Sequence, residues 1–213
     1  YLTNNTSKNT NHYIVKLKNF NLPVNEESII SPIDVVVNWI KKNNYSRIYL
    51  VGVEALKEEL SKKTGVFFTP QDPECIIIGF DKELTYKKLE TASRLIHLGV
   101  SYFLTHIDYY CPTFYGKLPD CGAIGLMLEK TTGVKSAGHF GKPGKYMIDH
   151  IKNKIKENEK SILVGDRIYT DIETGLKVGA RTILVCSGEF KNNSKDTLVS
   201  EDVEIFTTLA EFL

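Results

Sequence analysis

The sequence predicts an α/β fold with a largely parallel sheet. Three observations predict it. Short apolar runs alternate with amphipathic runs along most of the chain. The runs "CIIIGF" (75–80) and "ILVG" (162–165) are continuous rather than alternating, as in strands covered on both faces. No internal repeat, low-complexity tract or long linker interrupts the order, so strand and helix simply recur, the pattern of a parallel sheet.

Each element has its own signal. "SRIYLVG" (46–52) reads as a strand and "EALKEELSKK" (54–63) as a helix. After the buried strand 75–80 comes "YKKLETASRLIHLG" (86–99), which puts Leu89, Ala92, Leu95 and Ile96 on one helical face and ends on Gly99. "VSYFLT" (100–105) is again a strand. "CGAIGLMLEKTTG" (121–133) is a helix closed by Gly133, and "GKYMIDHIKNKI" (144–155) is another. Strand 161–165, predicted to be buried, helix 171–178 and strand "RTILVC" (181–186) complete the series. The stretch 105–120 is the longest without periodicity, and long loops in compact domains often carry function.

Bulk properties narrow the function classes. The 213 residues suffice for one large or two modest domains. A formal net charge of +1 gives no electrostatic reason for a nucleic-acid or acidic-membrane partner. No apolar run reaches a membrane span, and the polar opening reads as lacking a signal peptide. Cys75, Cys111, Cys121 and Cys186 form no CxxC pair, which argues against a zinc knuckle and fits a reducing, cytoplasmic setting. Asn-x-Ser/Thr triplets at Asn4, Asn5, Asn44 and Asn192 are chance products of an Asn-rich chain. "KNKIKENEK" (152–160) reads as a solvated helix end, and His106 and His139 as isolated structural or solvated residues.

Three short patterns carry chemistry. Asp166 follows an apolar run and Gly165, and Asp171 lies five residues on, at the predicted start of a helix. Ligands of open parallel sheets sit beyond the carboxyl ends of strands. The pair therefore reads either as a turn plus a helix cap or as two carboxylates for a cation. Lys142, between Gly141 and Pro143 and just before a helix, is either a solvated charge or a cation aimed at a phosphate. Thr3, in "YLTNNTSKN", ends a strand-like fragment. It either makes a turn or helps to cradle a phosphate.

In this order, the three patterns resemble the second, third and fourth motifs of the haloacid dehalogenase superfamily. They are most similar to its NagD-like branch of 4-nitrophenylphosphatases and phosphoglycolate phosphatases. "YLTNNTSKN", "GKP" (141–143) and "GDRIYTDIETGLKVGARTILVCSGE" (165–189) carry the likeness, and the intervening segment resembles that branch's inserted cap. The resemblance implies a Rossmann-like core, residues 1–30 and 136–213, with an α/β cap over 31–135. Two departures from the family pattern are Thr105-His106-Ile107-Asp108, where Thr-Asn-Pro-Asp is common, and Tyr169.

The resemblance also implies a Mg²⁺-dependent phosphatase acting on a small phosphorylated metabolite. Asp166 and Asp171 would serve the metal. Thr3, Asn4, Asn5 and Lys142 would hold the phosphate, and Thr3, Lys142, Asp166 and Asp171 form the implied catalytic set. Asp108, Tyr109, Tyr110, Phe114 and Tyr115 would meet the leaving group from the cap, or else serve as cap core or a dimer surface. Such caps also imply pairing of two copies. The family's nucleophile belongs to an Asp-x-Asp motif, and no Asp-x-Asp occurs in this sequence. The nucleophile is therefore expected upstream of Tyr1, in a longer polypeptide. The competing readings are an inactive module that binds Mg²⁺ and phosphate, and a receiver-like protein, which the long insertion between Thr3 and Lys142 disfavours. Substitution of Lys142 or Asp166 is expected to impair the site and leave the fold intact.

Overall fold

The computed structural model describes residues 1–156, 159–190 and 200–212. Asn192, part of one chance triplet, lies outside them, as do two residues of the 152–160 segment. The chain divides into two compact units, Tyr1–Gly141 and Lys142–Leu213.

The first unit contains α1 (Thr10–Lys18), α2 (Pro32–Asn43), β1 (Arg47–Val51), α3 (Glu54–Thr64), β2 (Phe67–Phe68), β3 (Cys75–Ile78) and α4 (Tyr86–His97). It continues with β4 (Tyr102–Leu104), β5 (Tyr110–Thr113), β6 (Gly116–Pro119), α5 (Cys121–Thr132) and β7 (Gly138–His139). Its main sheet is parallel, in the order β2-β1-β3-β4-β7. The continuous apolar run of β3 lies mid-sheet and is wholly buried, as predicted from its composition. Ile76 and Ile78 pack with Ala92, Leu95 and Ile96 of α4 and with Ile124 and Leu128 of α5. Trp39 of α2 packs against the rings of Phe103 and Phe140 at 4.6 and 5.1 Å.

The second unit contains α6 (Lys145–Lys152), β8 (Ile162–Gly165), a wide π-helical turn (Ile168–Ile172), α7 (Glu173–Val178), β9 (Arg181–Val185) and β10 (Val203–Phe206). Its sheet is also parallel, ordered β10-β9-β8, over a small core of Ile172, Leu184 and Val203.

The α/β class and the parallel sheets follow the prediction. Local features differ from it. Helix α2 stands where no element is predicted, although Ser31 and Asp34 form a capping box and Pro32 takes the first helical position. The same holds for α1, which Asn9 caps and whose apolar stripe is weak, and for the short strands β2, β7 and β10. The aperiodic stretch holds an antiparallel hairpin, β5–β6, with Phe114 and Tyr115 at its tip and no Asn-Gly to signal it. Among the described residues β8 pairs with β9 alone, and its Ile162 and Val164 are 50% and 38% exposed. No described helix is long and apolar enough to cross a membrane.

Candidate active site

In the second unit, β8 delivers Gly165 and Asp166, and the wide turn after it folds back on that strand end. Asp171 therefore does not open an α-helix, as its spacing suggests. It lies inside the π-turn, where its own N–H donates to the Arg167 carbonyl at 2.9 Å. Such turns are frequent at functional sites. The fold-back lets Asp171 Oδ2 accept the backbone N–H groups of Asp166 and Arg167, each at 3.2 Å. Its Oδ1 accepts from Lys142 Nζ at 2.5 Å. Both side chains are buried, so this is a desolvated ion pair, and removing either partner strands a charge. The expectation that Lys142 serves the site alone is thus revised: its ammonium also holds the turn.

Asp166 is half-buried. Its Oδ2 accepts the N–H of Glu189 at 2.7 Å, and Glu189 pairs with Arg167, Nε to Oε2, at 2.5 Å. Gly188 allows this approach, since a Cβ there would lie 2.0 Å from Asp166 Oδ2. Arg167, Gly188 and Glu189 are not among the predicted site residues, although all three stand in the acid-motif stretch; nothing in their spacing alone marks them.

The donor set is two carboxylates, one mostly committed to Lys142 and to backbone N–H groups. Among the described residues no group of three or more His, Cys, Asp or Glu could hold a metal on its own. Two carboxylates at a strand end fit a hard divalent cation that keeps several waters or phosphate oxygens.

In the first unit, Leu2 bridges Ile30 in parallel and Thr3 N–H donates to the Ile30 carbonyl at 3.0 Å. The next residues form a tight turn. Thr3 Oγ1 accepts the Asn5 N–H at 3.2 Å, and Asn5 Oδ1 accepts the N–H and Oγ–H of Ser7 at 2.9 and 2.8 Å. Tyr13 closes the turn through a bond from its hydroxyl to the Asn5 carbonyl at 3.1 Å, and burial pushes its phenol up to about 12. Asn4 is buried, with Nδ2 donating to Asp108 Oδ2 at 3.1 Å.

The cap candidates differ in kind. Asp108 is buried, so it faces Asn4 rather than solvent. Tyr109 is exposed, and Tyr110 lies on β5 with Lys117 Nζ 3.8 Å from its ring centre. Phe114 and Tyr115 are 96% and 95% exposed and touch each other edge-on at 5.3 Å.

The HAD-hydrolase-like family model matches residues 139–212, and the haloacid dehalogenase-like hydrolase model matches residues 1–65. The ribonucleotide monophosphatase NagD of Escherichia coli K12 is 30% identical over 175 residues, which span 82% of this chain and 68% of that protein. The chain belongs to the haloacid dehalogenase-like hydrolases. Within them it is a NagD-like phosphatase, a family of phosphomonoesterases. The crystal structure of a 4-nitrophenylphosphatase from Thermotoga maritima superimposes with a TM-score of 0.91 at 32% identity, covering 99% of this chain and 81% of that one. The 5'-nucleotidase YutF of Bacillus subtilis is 25% identical over 215 residues, 100% of this chain and 83% of that protein. The fold of this NagD-like phosphatase is accordingly the family's α/β core with an α/β cap.

Proposed function

We propose that this phosphatase hydrolyses a small phosphate monoester with Mg²⁺, through an aspartyl-phosphate intermediate. The observation that carries the reading is the buried Lys142–Asp171 pair, whose acid also accepts two N–H groups from the strand end that presents Asp166. A lysine held beside a strand-end carboxylate suits a site for a polyanion and a hard cation. Asp166 would ligate the metal directly, and Asp171 would orient it or act through water. Bound there, Mg²⁺ would neutralise charge on the transferring phosphoryl group. Lys142 would offset charge on the phosphate, and Thr3, Asn4 and Asn5 would hold its oxygens. The nucleophile is an aspartate from outside these 213 residues, since they contain no Asp-x-Asp. It would attack phosphorus in line, the ester oxygen would leave with a proton, and water would then release phosphate. The same reading takes residues 1–30 and 136–213 as core and 31–135 as cap, a cytoplasmic setting, and pairing of two copies through the cap.

The competing reading is a non-catalytic module that binds Mg²⁺ and phosphate. One assay separates the two. The complete gene product containing these residues is incubated with excess 4-nitrophenyl phosphate, with Mg²⁺ or with EDTA. Many turnovers with Mg²⁺, lost in EDTA and in Asp166→Asn, are expected. Mg²⁺ binding without turnover would transfer the site to the module reading.

A further inference from the structure

The Thr3–Asn4–Asn5 turn of the first unit is held from two sides by hydroxyl groups. Downstream, the completely buried Thr6 docks it on the carboxyl ends of β3 and β4. Thr6 Oγ1 accepts the Phe80 N–H at 3.3 Å and lies 3.2 Å from Thr105 Oγ1. Thr105 donates to Cys121 Sγ at 3.5 Å, and Cys121 donates to the Ile78 carbonyl at 3.1 Å. The Thr105 proton is thus committed, so Thr6 is the donor in their pair.

The other side of the turn depends on α1. Asn9 caps that helix, and Thr10 moors it to α3, its N–H and Oγ1 donating to the Glu59 carboxylate at 3.1 and 2.7 Å. One turn on, Tyr13 reaches back, and its hydroxyl donates to the Asn5 carbonyl at 3.1 Å. The Thr3 hydroxyl bonds the same phenol. A carbonyl only accepts, so the phenol proton belongs to Asn5 and the phenol oxygen accepts from Thr3. Tyr13 therefore touches both ends of the turn. The other polar groups of Asn5 are engaged elsewhere: its N–H with Thr3 Oγ1, its Oδ1 with Ser7. A peptide group is planar, so holding the Asn5 carbonyl also sets the direction of the Thr6 N–H.

We infer that Tyr13 is a positioning residue: its hydroxyl clamps the Asn5 carbonyl and so fixes the conformation of the Thr3–Asn4–Asn5 turn. The consequence for phosphate rests on the proposed function, in which this turn holds the phosphoryl oxygens; the clamp itself does not. Burial keeps the phenol protonated, so the clamp persists on both sides of neutral pH.

The test compares Tyr13→Phe with a variant carrying 4-aminophenylalanine at position 13, both in the complete protein. The first keeps the ring and loses the donor; the second restores an N–H donor in its place. Three readouts are taken: the backbone amide resonances of Asn5 and Ser7, the KM and kcat for 4-nitrophenyl phosphate, and competitive inhibition by inorganic phosphate. Tyr13→Phe is expected to shift both resonances. It should raise KM and the phosphate inhibition constant together by about fivefold, as for loss of one neutral hydrogen bond, with kcat within about twofold. The amino variant should return all three toward wild type. Unmoved resonances in Tyr13→Phe, even with lowered thermal stability, would overturn the inference by leaving Tyr13 a packing residue. So would a shift that the amino variant does not reverse. Shifted resonances with unchanged KM and inhibition constant would uphold the clamp and remove the phosphate role of the turn. The resonances decide the clamp whether or not the protein turns over substrate, which keeps it separable from the proposed function.

Discussion

Replacing Lys142 by Met isolates the charge of the buried pair. The variant keeps an apolar stem of similar length and loses the ammonium 2.5 Å from Asp171 Oδ1. Among the described residues Asp171 then keeps two backbone N–H donors, each at 3.2 Å. Breaking a buried ion pair from one side costs about 3–5 kcal/mol, and the surviving N–H groups put this case near the lower end, about 3 kcal/mol. The readout must come from the second unit, and the single tryptophan, Trp39, lies in the first. Amide hydrogen exchange at Ile183 and Leu184 of β9, both fully buried, reports the correct unit. Where exchange follows opening of that unit, about 3 kcal/mol corresponds to exchange faster by roughly a hundredfold. The double variant Lys142→Met/Asp171→Leu, which buries no unpaired charge, should recover most of the loss. Protection of β9 within about threefold of wild type in Lys142→Met, or strict additivity in the double variant, would refute the pair as a determinant of the fold.

Two further outcomes follow from the geometry. Gly188→Ala should push the Asp166 carboxylate away, since the new Cβ would sit 2.0 Å from Oδ2; the Mg²⁺ concentration for half-maximal activity should rise about 10–100-fold, and an unchanged Mg²⁺ titration would count against Asp166 as a ligand. Burial pushes the Cys75 and Cys121 thiols from 9.0 up to about 12. The unfolded chain therefore loses these protons first, and the stability they contribute is full below pH 9 and lost between about pH 9 and 12; urea midpoints at pH 8, 9.5 and 11 should fall in that order, less steeply in Cys75→Ala, and equal slopes would contradict the assignment.

The sequence made some of this architecture legible and hid the rest for identifiable reasons. The run Cys75–Ile78 announced a central strand because burial on both faces leaves no polar alternation to confuse the period. Helix α4 was readable because its apolar face repeats cleanly and Gly99 follows it. The hairpin Tyr110–Pro119 was not, because its residues are mostly exposed and its register comes from backbone pairing rather than pattern.

The site divides in the same way. The order of Thr3, Lys142, Asp166 and Asp171 along the chain, with Gly165 and Pro143 as neighbours, was enough to relate the protein to its family, because chemistry of this kind needs particular residue types at strand ends. Short-range spacing reflects local backbone geometry, so motifs of this sort survive in one dimension. Only the tertiary structure decided that Lys142 is buried against Asp171, that Gly188 leaves room for Asp166, and that His106 lies between Asp108 and Asp120. Most of those contacts join residues 14 to 29 positions apart, or depend on a wide turn folding back by a few ångströms, and a buried charge acquires its partner only when the chain has closed around it.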